Sequence, residues 1–250
     1  MKERMYHLGL KKEDGARFAV LPGDPGRVPQ IAACLADAHE VAHNREFHTW
    51  AGTLSGERVL VTSTGIGGPS AAIAMEELAS IGVDTFIRVG TCGGMQLAVQ
   101  GGDLIVPTAA IRMDGTSREY LPVEFPAVAD FALTQALSDA ANRQGVHTHL
   151  GVVQSKDSFY GQHEPERMPV GQRLMFDWNA WIKGGALASE MECATLFTVA
   201  ACLGVRAGAV LTCVWNQERQ AAGMSNPETH DSGIAIRTAV EAICALAVKK

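Results

Sequence analysis

The stretch Val83-Asp84-Thr85-Phe86-Ile87-Arg88-Val89, followed by Gly90-Thr91-Cys92-Gly93-Gly94, gives the strongest indication of the fold. Its β-branched and aromatic residues predict an interior strand, and its glycines predict a turn at the carboxyl end of that strand. In open α/β sheets, ligands bind just beyond the carboxyl ends of the strands. The stretch therefore predicts an α/β fold with a ligand site beside the glycines.

Arg88 lies within the apolar part of this predicted strand. Arginine is seldom fully buried alone, so its guanidinium requires either a structural carboxylate or an anionic ligand. The neighbouring glycines favour a ligand, because they allow close backbone approach and their N–H groups can form an anion-binding concavity. Arg88 is thus a candidate anion-binding residue, and a structural ion pair is the alternative.

The composition favours a globular protein without a polyanionic partner. Hydrophobic residues make up 47% of the 250 residues, which suffices for a substantial core. The net charge of -6 and the lack of a dense Lys/Arg block argue against nucleic-acid binding. No apolar run approaches the roughly 20 residues that span a bilayer, so we expect no membrane partner and a cytoplasmic location. The six cysteines form no C-x-x-C pair and indicate buried free thiols rather than disulfides or zinc ligands.

Strand-like and helix-like segments alternate along the chain, which predicts one α/β domain over residues 1–250. Strands are expected at 17–21, 47–54, 57–63, 83–89, 103–112, 147–154 and 207–214. Helices are expected at about 27–35, 65–81, 128–143, 191–203 and 232–248. The glycine- and proline-rich stretch 155–172 is predicted to be an irregular lid or binding loop.

Two further glycine-rich turns are candidate binding elements. Pro22-Gly23-Asp24-Pro25-Gly26-Arg27 predicts a strand-turn-helix junction whose free N–H groups suit an oxyanion. Arg27 in the first helical turn opposes the helix dipole, and a bound phosphate would compensate it; a solvated arginine on a tight turn is the alternative. The turn 65–70 lacks the third glycine of a dinucleotide fingerprint, so we do not expect a dinucleotide cofactor.

Two acids, Glu190 and Glu192, precede an apolar helical segment. They could cap that helix, or a carboxylate could accept the hydroxyls of a sugar diol while Met191 packs on a ring face. His147 and His149 are typical of strand-edge residues. The sequence contains no P-loop, Ser/His/Asp triad motif or metal-ligand motif. Catalysis is therefore expected to depend on positioning and electrostatics.

Five motifs together resemble one known family. They are Pro22-Gly23-Asp24-Pro25-Gly26-Arg27, His43-Asn44-Arg45-Glu46-Phe47, the stretch 63–70, Arg88-Val89-Gly90-Thr91 and Glu190-Met191-Glu192. In this order and spacing they are similar to the hexameric nucleoside phosphorylases, which include purine nucleoside and uridine phosphorylases. The resemblance implies a single-domain three-layer αβα sandwich with a twisted mixed central sheet. It also implies a homohexamer built as a trimer of dimers.

The resemblance further implies a site that two subunits share. The residues expected to hold phosphate, the co-substrate, are Gly23, Arg27, Arg88, Thr91 and, from the neighbouring subunit, Arg45. Those expected to bind ribose are Thr91, Glu190, Met191, Glu192 and the partner-supplied His7. Those expected to bind the base are Cys92, Gly93, Phe159, Gln162 and Lys156. No cofactor is required, although relatives hold a monovalent cation such as potassium at a dimer interface, near positions matched by Glu46, Ile66 and Ser70.

The implied reaction is phosphate-dependent cleavage of uridine to uracil and ribose 1-phosphate, a pentosyl transfer of pyrimidine salvage. Its candidate catalytic residues are Arg88, Gln162, Lys156 and Glu192. Phosphate would attack the anomeric carbon as an oxocarbenium-like ribosyl centre forms. Thymidine, deoxyuridine or a purine nucleoside is an alternative substrate, and a catalytically silent nucleoside-binding relative is an alternative of another class.

The base pocket departs from the pattern of pyrimidine-specific members. Two arginines expected at the base edge are replaced by Glu164 and Gln217. Lys156 is the preferred substitute and would stabilise or protonate the departing base; a solvated loop lysine paired with Asp157 is the alternative. His163 is the second candidate for this role, and Arg219 is the third.

The segment that distinguishes purine-specific members also differs. Those members carry a Ser-Asp pair after the strand that follows the Glu-Met-Glu helix, and here Trp215-Asn216 stands at that position. A neutral amide cannot serve as the general acid that protonates a purine. This difference argues against purine substrates. Arg27 and Arg88 argue against a hydrolase, because an enzyme that uses water as the nucleophile needs no arginine site for an anion.

Overall fold

The computed structural model describes residues 4–248 of the chain. Its strands are β1 (Phe18–Pro22), β2 (Ala36–Asn44), β3 (Phe47–Leu54), β4 (Glu57–Thr62), β5 (Thr85–Gly94), β6 (Leu104–Met113), β7 (Ala127–Val128), β8 (Thr148–Lys156), β9 (Ala188–Glu190) and β10 (Arg206–Asn216). Its α-helices are α1 (Val28–Ala32), α2 (Gly68–Ser80), α3 (Thr116–Tyr120), α4 (Phe131–Arg143), α5 (Phe159–His163), α6 (Gly171–Lys183), α7 (Cys193–Leu203), α8 (Gln217–Ala221) and α9 (Gly233–Ala247). Single turns of 3₁₀-helix lie at Lys12–Asp14, Pro25–Arg27 and Pro165–Arg167.

The strands form one mixed sheet in the order β10-β6-β8-β9-β5-β1-β4-β3-β2, with β7 paired to β6. Strand β10 also pairs with β5, so five strands (β5, β10, β6, β8 and β9) close into a ring. The sheet is therefore curled at one end and open at the other. The mixed α/β fold predicted from the sequence is confirmed, and the ring is a feature that the sequence pattern did not reveal.

Strand β5 is central because both of its faces are covered. Phe86 points into an apolar cluster with Met75 of α2 and Phe197 of α7. Ile87, the next residue, points into a second cluster on the other face, with Leu133 of α4 and Ile243 of α9. Alternation of this kind is what a strand buried on both sides requires. Helices thus cover the sheet on both faces, as the three-layer expectation states.

Strand β5 is longer than expected, which corrects the prediction of a turn at Gly90–94. Residues 85–94 all belong to the strand, since β10 pairs with it from Thr85 to Gly94 and β9 pairs with Gly93 and Gly94. Glycine is compatible with an extended strand, and here it permits close approach instead of a turn. The candidate ligand-binding residues Arg88 and Thr91 are therefore both carried by a strand.

The stretch 155–172 is likewise more regular than predicted. Strand β8 extends to Lys156, and Ser158 caps α5 by accepting a hydrogen bond from the Gly161 N–H at 2.9 Å. The 3₁₀ turn 165–167 and helix α6 follow. The predicted irregularity of this stretch was wrong, because a serine N-cap can start a helix within a glycine- and proline-rich segment. A role as a lid or binding segment stays a prediction.

Strand β2 and helix α6 were not predicted. Strand β2 is an edge strand whose residues are mostly exposed, and α6 buries only Gly171 fully. Strand β2 lacks the apolar periodicity on which the sequence prediction relied. Helix α6 does have apolar residues at helical spacing, Leu174, Met175, Trp178 and Trp181, which the sequence prediction overlooked. The expectation of free thiols is confirmed for all six cysteines. The expectation of burial holds for Cys92, Cys193 and Cys213; Cys244 is partly buried, and the expectation is wrong for Cys34 and Cys202, which are exposed. Among residues 4–248, no helix combines the length and hydrophobicity that a bilayer span requires.

Candidate active site

A cavity of about 720 Å³ opens beside β5, between the loops that follow β1 and β4 and the ends of β8, β9 and β10. Its wall contains most of the residues that the sequence analysis assigned to phosphate, ribose and base. The predicted phosphate residues in its wall are Gly23, Arg27, Arg88 and Thr91. The predicted ribose and base residues in its wall are Glu190, Met191, Glu192, Cys92, Gly93, Lys156, Phe159 and Gln162.

The buried Arg88 guanidinium joins the two acids of the Glu-Met-Glu segment. Its Nη2 lies 2.5 Å from Glu192 Oε2, and its Nε lies 3.3 Å from Glu190 Oε2. Burial lowers the pKa of Arg88, but Glu192 and Glu190 together raise it above its ordinary value. Arg88 therefore carries its full charge, and the structural carboxylates that the sequence left as an alternative are present.

These carboxylates leave part of the guanidinium free for a ligand. Its Nη1 atom faces the loop after β1, since a methyl group on Gly23 would lie 3.9 Å from it. Gly90 makes room for the group, because a side chain there would come within 2.8 Å of Arg88 Nη2. Arg88 thus meets carboxylates on one side and faces the cavity loop on the other.

Glu190 and Glu192 have different local roles. Glu190 accepts hydrogen bonds from the backbone N–H groups of Glu192 (2.9 Å) and Cys193 (3.0 Å), and from the Ser155 hydroxyl. It caps α7, as one reading of the sequence proposed. Glu192 instead accepts from the Gly67 N–H at 2.6 Å and pairs with Arg88. Burial and Glu190 raise the pKa of Glu192, whereas Arg88 opposes that shift.

The loop after β1 carries the second positive charge of the site. Asp24 accepts a hydrogen bond from the Gly26 N–H at 2.8 Å and fixes the turn that ends at Arg27. Burial lowers the pKa of Arg27, Asp24 raises it, and the charge of Arg88 lowers it again. Two guanidiniums are therefore close enough to repel each other. A site of this type favours an anion between them, because the anion removes the repulsion.

Aromatic side chains form the other end of the cavity. Phe159 is half exposed, and its ring centroid lies 4.4 Å from that of His163. The His163 ring in turn lies 6.3 Å from Trp215. Burial and then the charge of Lys156 lower the pKa of His163. This end of the cavity can receive a flat, apolar ring face.

Lys156 is buried at the end of β8, which excludes the alternative of a solvated lysine paired with Asp157. Its Nζ donates a hydrogen bond to Ser189 Oγ at 2.6 Å, while Asp157 accepts from the Gly115 N–H at 2.7 Å. Burial lowers the pKa of Lys156 to about 8, and Glu190 opposes that shift. Lys156 is thus an ammonium group poised to lose its proton near neutral pH.

Ser189 connects Lys156 with the candidate base-binding amide. Its Oγ lies 2.7 Å from Gln162 Oε1 and 2.5 Å from Gln154 Oε1. The Gln162 amide nitrogen lies 3.3 Å from Gln217 Oε1, so the amide is held at both ends. Sequence reasoning missed Ser189, for which the only signal is its place just before the Glu-Met-Glu motif. It also missed His230, another residue of the cavity wall.

Arg219 is not available as a base-edge cation. It is buried outside the cavity wall, and its guanidinium donates to the backbone carbonyls of Leu97 and Ser225. Asn216 is also structural, because its side chain caps α8 and donates to the carbonyl of Val99 at 2.8 Å. Trp215 alone of the Trp-Asn pair lines the cavity.

Four predicted residues lie away from the cavity wall of this chain: His7, Arg45, Glu46 and Ser70. His7 Nδ1 lies 2.8 Å from Glu77, and Arg45 occupies the tight turn between β2 and β3 with φ of 56°. Ser70 donates a hydrogen bond to Glu46 at 2.8 Å. Ile66, the third residue of the expected cation site, lines the cavity and is 78% exposed.

One cavity in this α/β fold is lined by two arginines, Arg27 and Arg88, and by the carboxylate of Glu192, as expected for a phosphorylase. The chain belongs to the phosphorylase superfamily, whose family profile matches residues 17–249. The uridine phosphorylase of Treponema pallidum is 53% identical over 238 residues, which cover 95% of this chain and 92% of that protein. The uridine phosphorylase of Escherichia coli is 44% identical over 250 residues, with 96% and 97% covered. A guanosine phosphorylase of Halorubrum lacusprofundi is 42% identical over 206 residues, with 82% and 81% covered.

The ion cluster predicts a pH-dependent loss of stability in the Arg88→Met variant. This change leaves Glu192 and Glu190 buried without their counter-ion, which costs about 3 to 5 kcal/mol. It also removes the group that holds the pKa of Glu192 down, so this pKa rises further. The folded variant then binds more protons than its unfolded chain, and its free energy of unfolding falls as the pH rises from 5.5 to 8.

Urea denaturation at pH 5.5 and pH 8 measures this effect. The matched control is Arg143→Met, which removes an exposed arginine whose Nε lies 3.5 Å from Glu241. We expect little change in that variant at either pH. An equal loss of stability for Arg88→Met at both pH values would show that the buried carboxylates do not depend on Arg88.

Proposed function

We propose that this protein is a pentosyltransferase that cleaves uridine with phosphate, giving uracil and ribose 1-phosphate. The proposal rests on one observation: a single cavity contains a positively charged surface, an acidic surface and an aromatic surface. A pair of guanidiniums, Arg27 and Arg88, lies beside the acidic Glu192, and the aromatic end of the cavity follows. Phosphate, ribose and base are linked in the same order during phosphorolysis. The names of the relatives, uridine phosphorylases among them, support this assignment.

The proposed reaction forms and breaks one bond each at the anomeric carbon. A phosphate oxygen, oriented by Arg27 and Arg88, bonds to C1′ while the bond from C1′ to N1 of uracil breaks. The electron pair of that bond moves to N1, and the ribosyl centre passes through an oxocarbenium-like state. Orientation of the nucleophile and stabilisation of the departing base account for the rate. Glu192 and Met191 hold the ribose, and no covalent enzyme intermediate is formed.

Lys156 takes the place of the missing base-edge arginines in this proposal. Its ammonium group reaches the base through the side of the cavity that also holds Gln162, and it neutralises the charge that develops on uracil. The lowered pKa supports this role, because a group with a pKa of about 8 can transfer a proton near neutral pH. His163 is a neutral neighbour that packs near the ring of Phe159.

The active site is proposed to be completed by a second subunit. Arg45 and His7 lie outside the cavity wall of their own chain, so in this proposal they serve the cavity of the partner. A homohexamer made of three such dimers then has six sites. The Glu46–Ser70 pair offers oxygen atoms near this interface, which suit a hard monovalent cation such as potassium. A cytoplasmic location and a place in pyrimidine salvage stay predictions.

Substrate class and reaction type can be tested in one assay. The protein is incubated with uridine, thymidine, deoxyuridine, inosine or guanosine, with and without phosphate, and free base is measured by chromatography. We expect base release from uridine that requires phosphate, with little release from the purine nucleosides. Release without phosphate would indicate a hydrolase, and binding of uridine without turnover would indicate a silent relative. Preference for guanosine would overturn the pyrimidine assignment and align the protein with its guanosine phosphorylase relative.

The role of Lys156 predicts a pH effect on turnover. Because the ammonium form is the active one, kcat should fall as the pH rises through about 8. The Lys156→Met variant should lose about 100-fold or more in kcat on uridine and should lack this alkaline limb. Lys183→Met, which removes an exposed lysine at the end of α6, is the matched control with unchanged kinetics. An alkaline limb that persists in Lys156→Met would remove this lysine from the proton transfer.

A further inference from the structure

Asp103, His147 and His149 form a cluster outside the cavity described above. Asp103 lies just before β6, His147 lies just before β8, and His149 is the second residue of β8, the parallel neighbour of β6. His147 and His149 are two residues apart, so they project from the same face of the strand. Their ring centroids are 4.5 Å apart. Sequence patterns do not reveal this grouping, because Asp103 and His147 are 44 positions apart.

The three side chains of this cluster bring their ligand atoms close together. Asp103 Oδ2 lies 2.9 Å from His149 Nε2 and 3.2 Å from His147 Nδ1. A metal ion with bonds of about 2.0 to 2.1 Å separates neighbouring ligand atoms by about 2.9 to 3.4 Å, for octahedral or tetrahedral geometry. Both Asp–His separations match this spacing, and all three ligand atoms lie within 4.8 Å of one another.

Hydrogen bonds from two backbone N–H groups hold Asp103 in place, one at its carboxylate and one at its carbonyl. The Gln100 N–H donates to Asp103 Oδ2 at 2.9 Å, and the Cys213 N–H donates to the Asp103 carbonyl at 2.9 Å. The side chains of Asp103 and His149 are 12% and 14% exposed, while that of His147 is 66% exposed. Two ligands are thus preorganised, and the third lies at the rim, where water can complete the coordination.

A second grouping, Glu40, His43 and His48, is a weaker candidate. The His48 Nε2 atom that lies 3.1 Å from Glu40 also accepts a hydrogen bond from the Trp50 indole N–H at 2.9 Å. Its lone pair is therefore already used. Within residues 4–248, the ring nitrogens of His147 and His149 pair with Asp103 and accept from no such donor. Asp103 Oδ2 accepts from the Gln100 N–H, but a carboxylate oxygen keeps a further lone pair for an ion.

We propose that Asp103, His147 and His149 bind one divalent transition-metal ion of the zinc or nickel type. Imidazole nitrogens favour these ions over magnesium or calcium, which prefer oxygen ligands. The bound ion joins the amino ends of β6 and β8. Because it binds the folded protein only, it raises the melting temperature as its concentration increases.

Titration of the metal-free protein with ZnCl₂ or NiCl₂ tests this site, with MgCl₂ as the comparison. Calorimetry should show one ion bound per chain, together with a rise in melting temperature that MgCl₂ does not produce. His147→Ala and His149→Ala should each weaken binding more than tenfold, since even outer-shell changes weaken metal sites 10- to 100-fold. His43→Ala, which disrupts the competing cluster, should bind the ion as the unaltered protein does.

His147→Ala is the decisive variant, because its exposed side chain can be removed without disturbing the core. Unchanged affinity in this variant would overturn the proposal, as would loss of binding in His43→Ala alone. Failure of the unaltered protein to bind zinc or nickel would also overturn it. If His149→Ala does not fold, Asp103→Asn serves as the second ligand variant, and its fold is checked by circular dichroism.

Discussion

A guanidinium buried in the middle of a sheet is stable only where several partners share its charge. Arg88 meets Glu190 and Glu192 on one side, and the rest of the fold makes this meeting possible. Strand β5 carries the arginine, β9 delivers the first acid, and α7 begins directly after the second. Replacing such a cluster with apolar residues is often neutral for stability, so its presence points to a task beyond stability. That task, in our account, is to hold an anion beside a sugar.

The ring of strands explains how groups distant in sequence meet at one cavity. Because β10 pairs with both β5 and β6, the sheet curls and turns the end of β8 towards β5. Lys156 at that end therefore faces the same cavity as Arg88 and Thr91. The two cations proposed to act in catalysis, Arg88 and Lys156, have different environments. Arg88 has two acids and keeps its proton, whereas burial brings the pKa of Lys156 to about 8. The first suits a permanent anion, and the second suits a proton transfer.

The sequence predicted the α/β class, the Arg88 strand and the glycine-rich loops at 22–27 and 65–70, because apolar runs and glycine turns have local patterns. It was wrong about a turn at Gly90–94, because strand pairing keeps those glycines extended. Local patterns could not separate Glu190 from Glu192, since the hydrogen bonds of Glu190 to the start of α7 and the pairing of Glu192 with Gly67 and Arg88 depend on the folded structure. Strand β2 has no apolar periodicity, and the cluster around Asp103 depends on strand pairing. The position of Lys156 was inferred from a resemblance and a missing arginine; its burial at the end of a strand required the structure.

The central claim is that Arg88 and Arg27 form an anion site, and binding of inorganic phosphate without nucleoside tests it most directly. Calorimetric titration should give saturable binding to the unaltered protein. Arg27→Ala should bind more than tenfold more weakly, since a charge-assisted hydrogen bond contributes about 1.5 to 3 kcal/mol. Arg58→Ala, which removes an exposed arginine from β4, should bind phosphate normally. Equal phosphate affinity in Arg27→Ala and the unaltered protein would contradict the account.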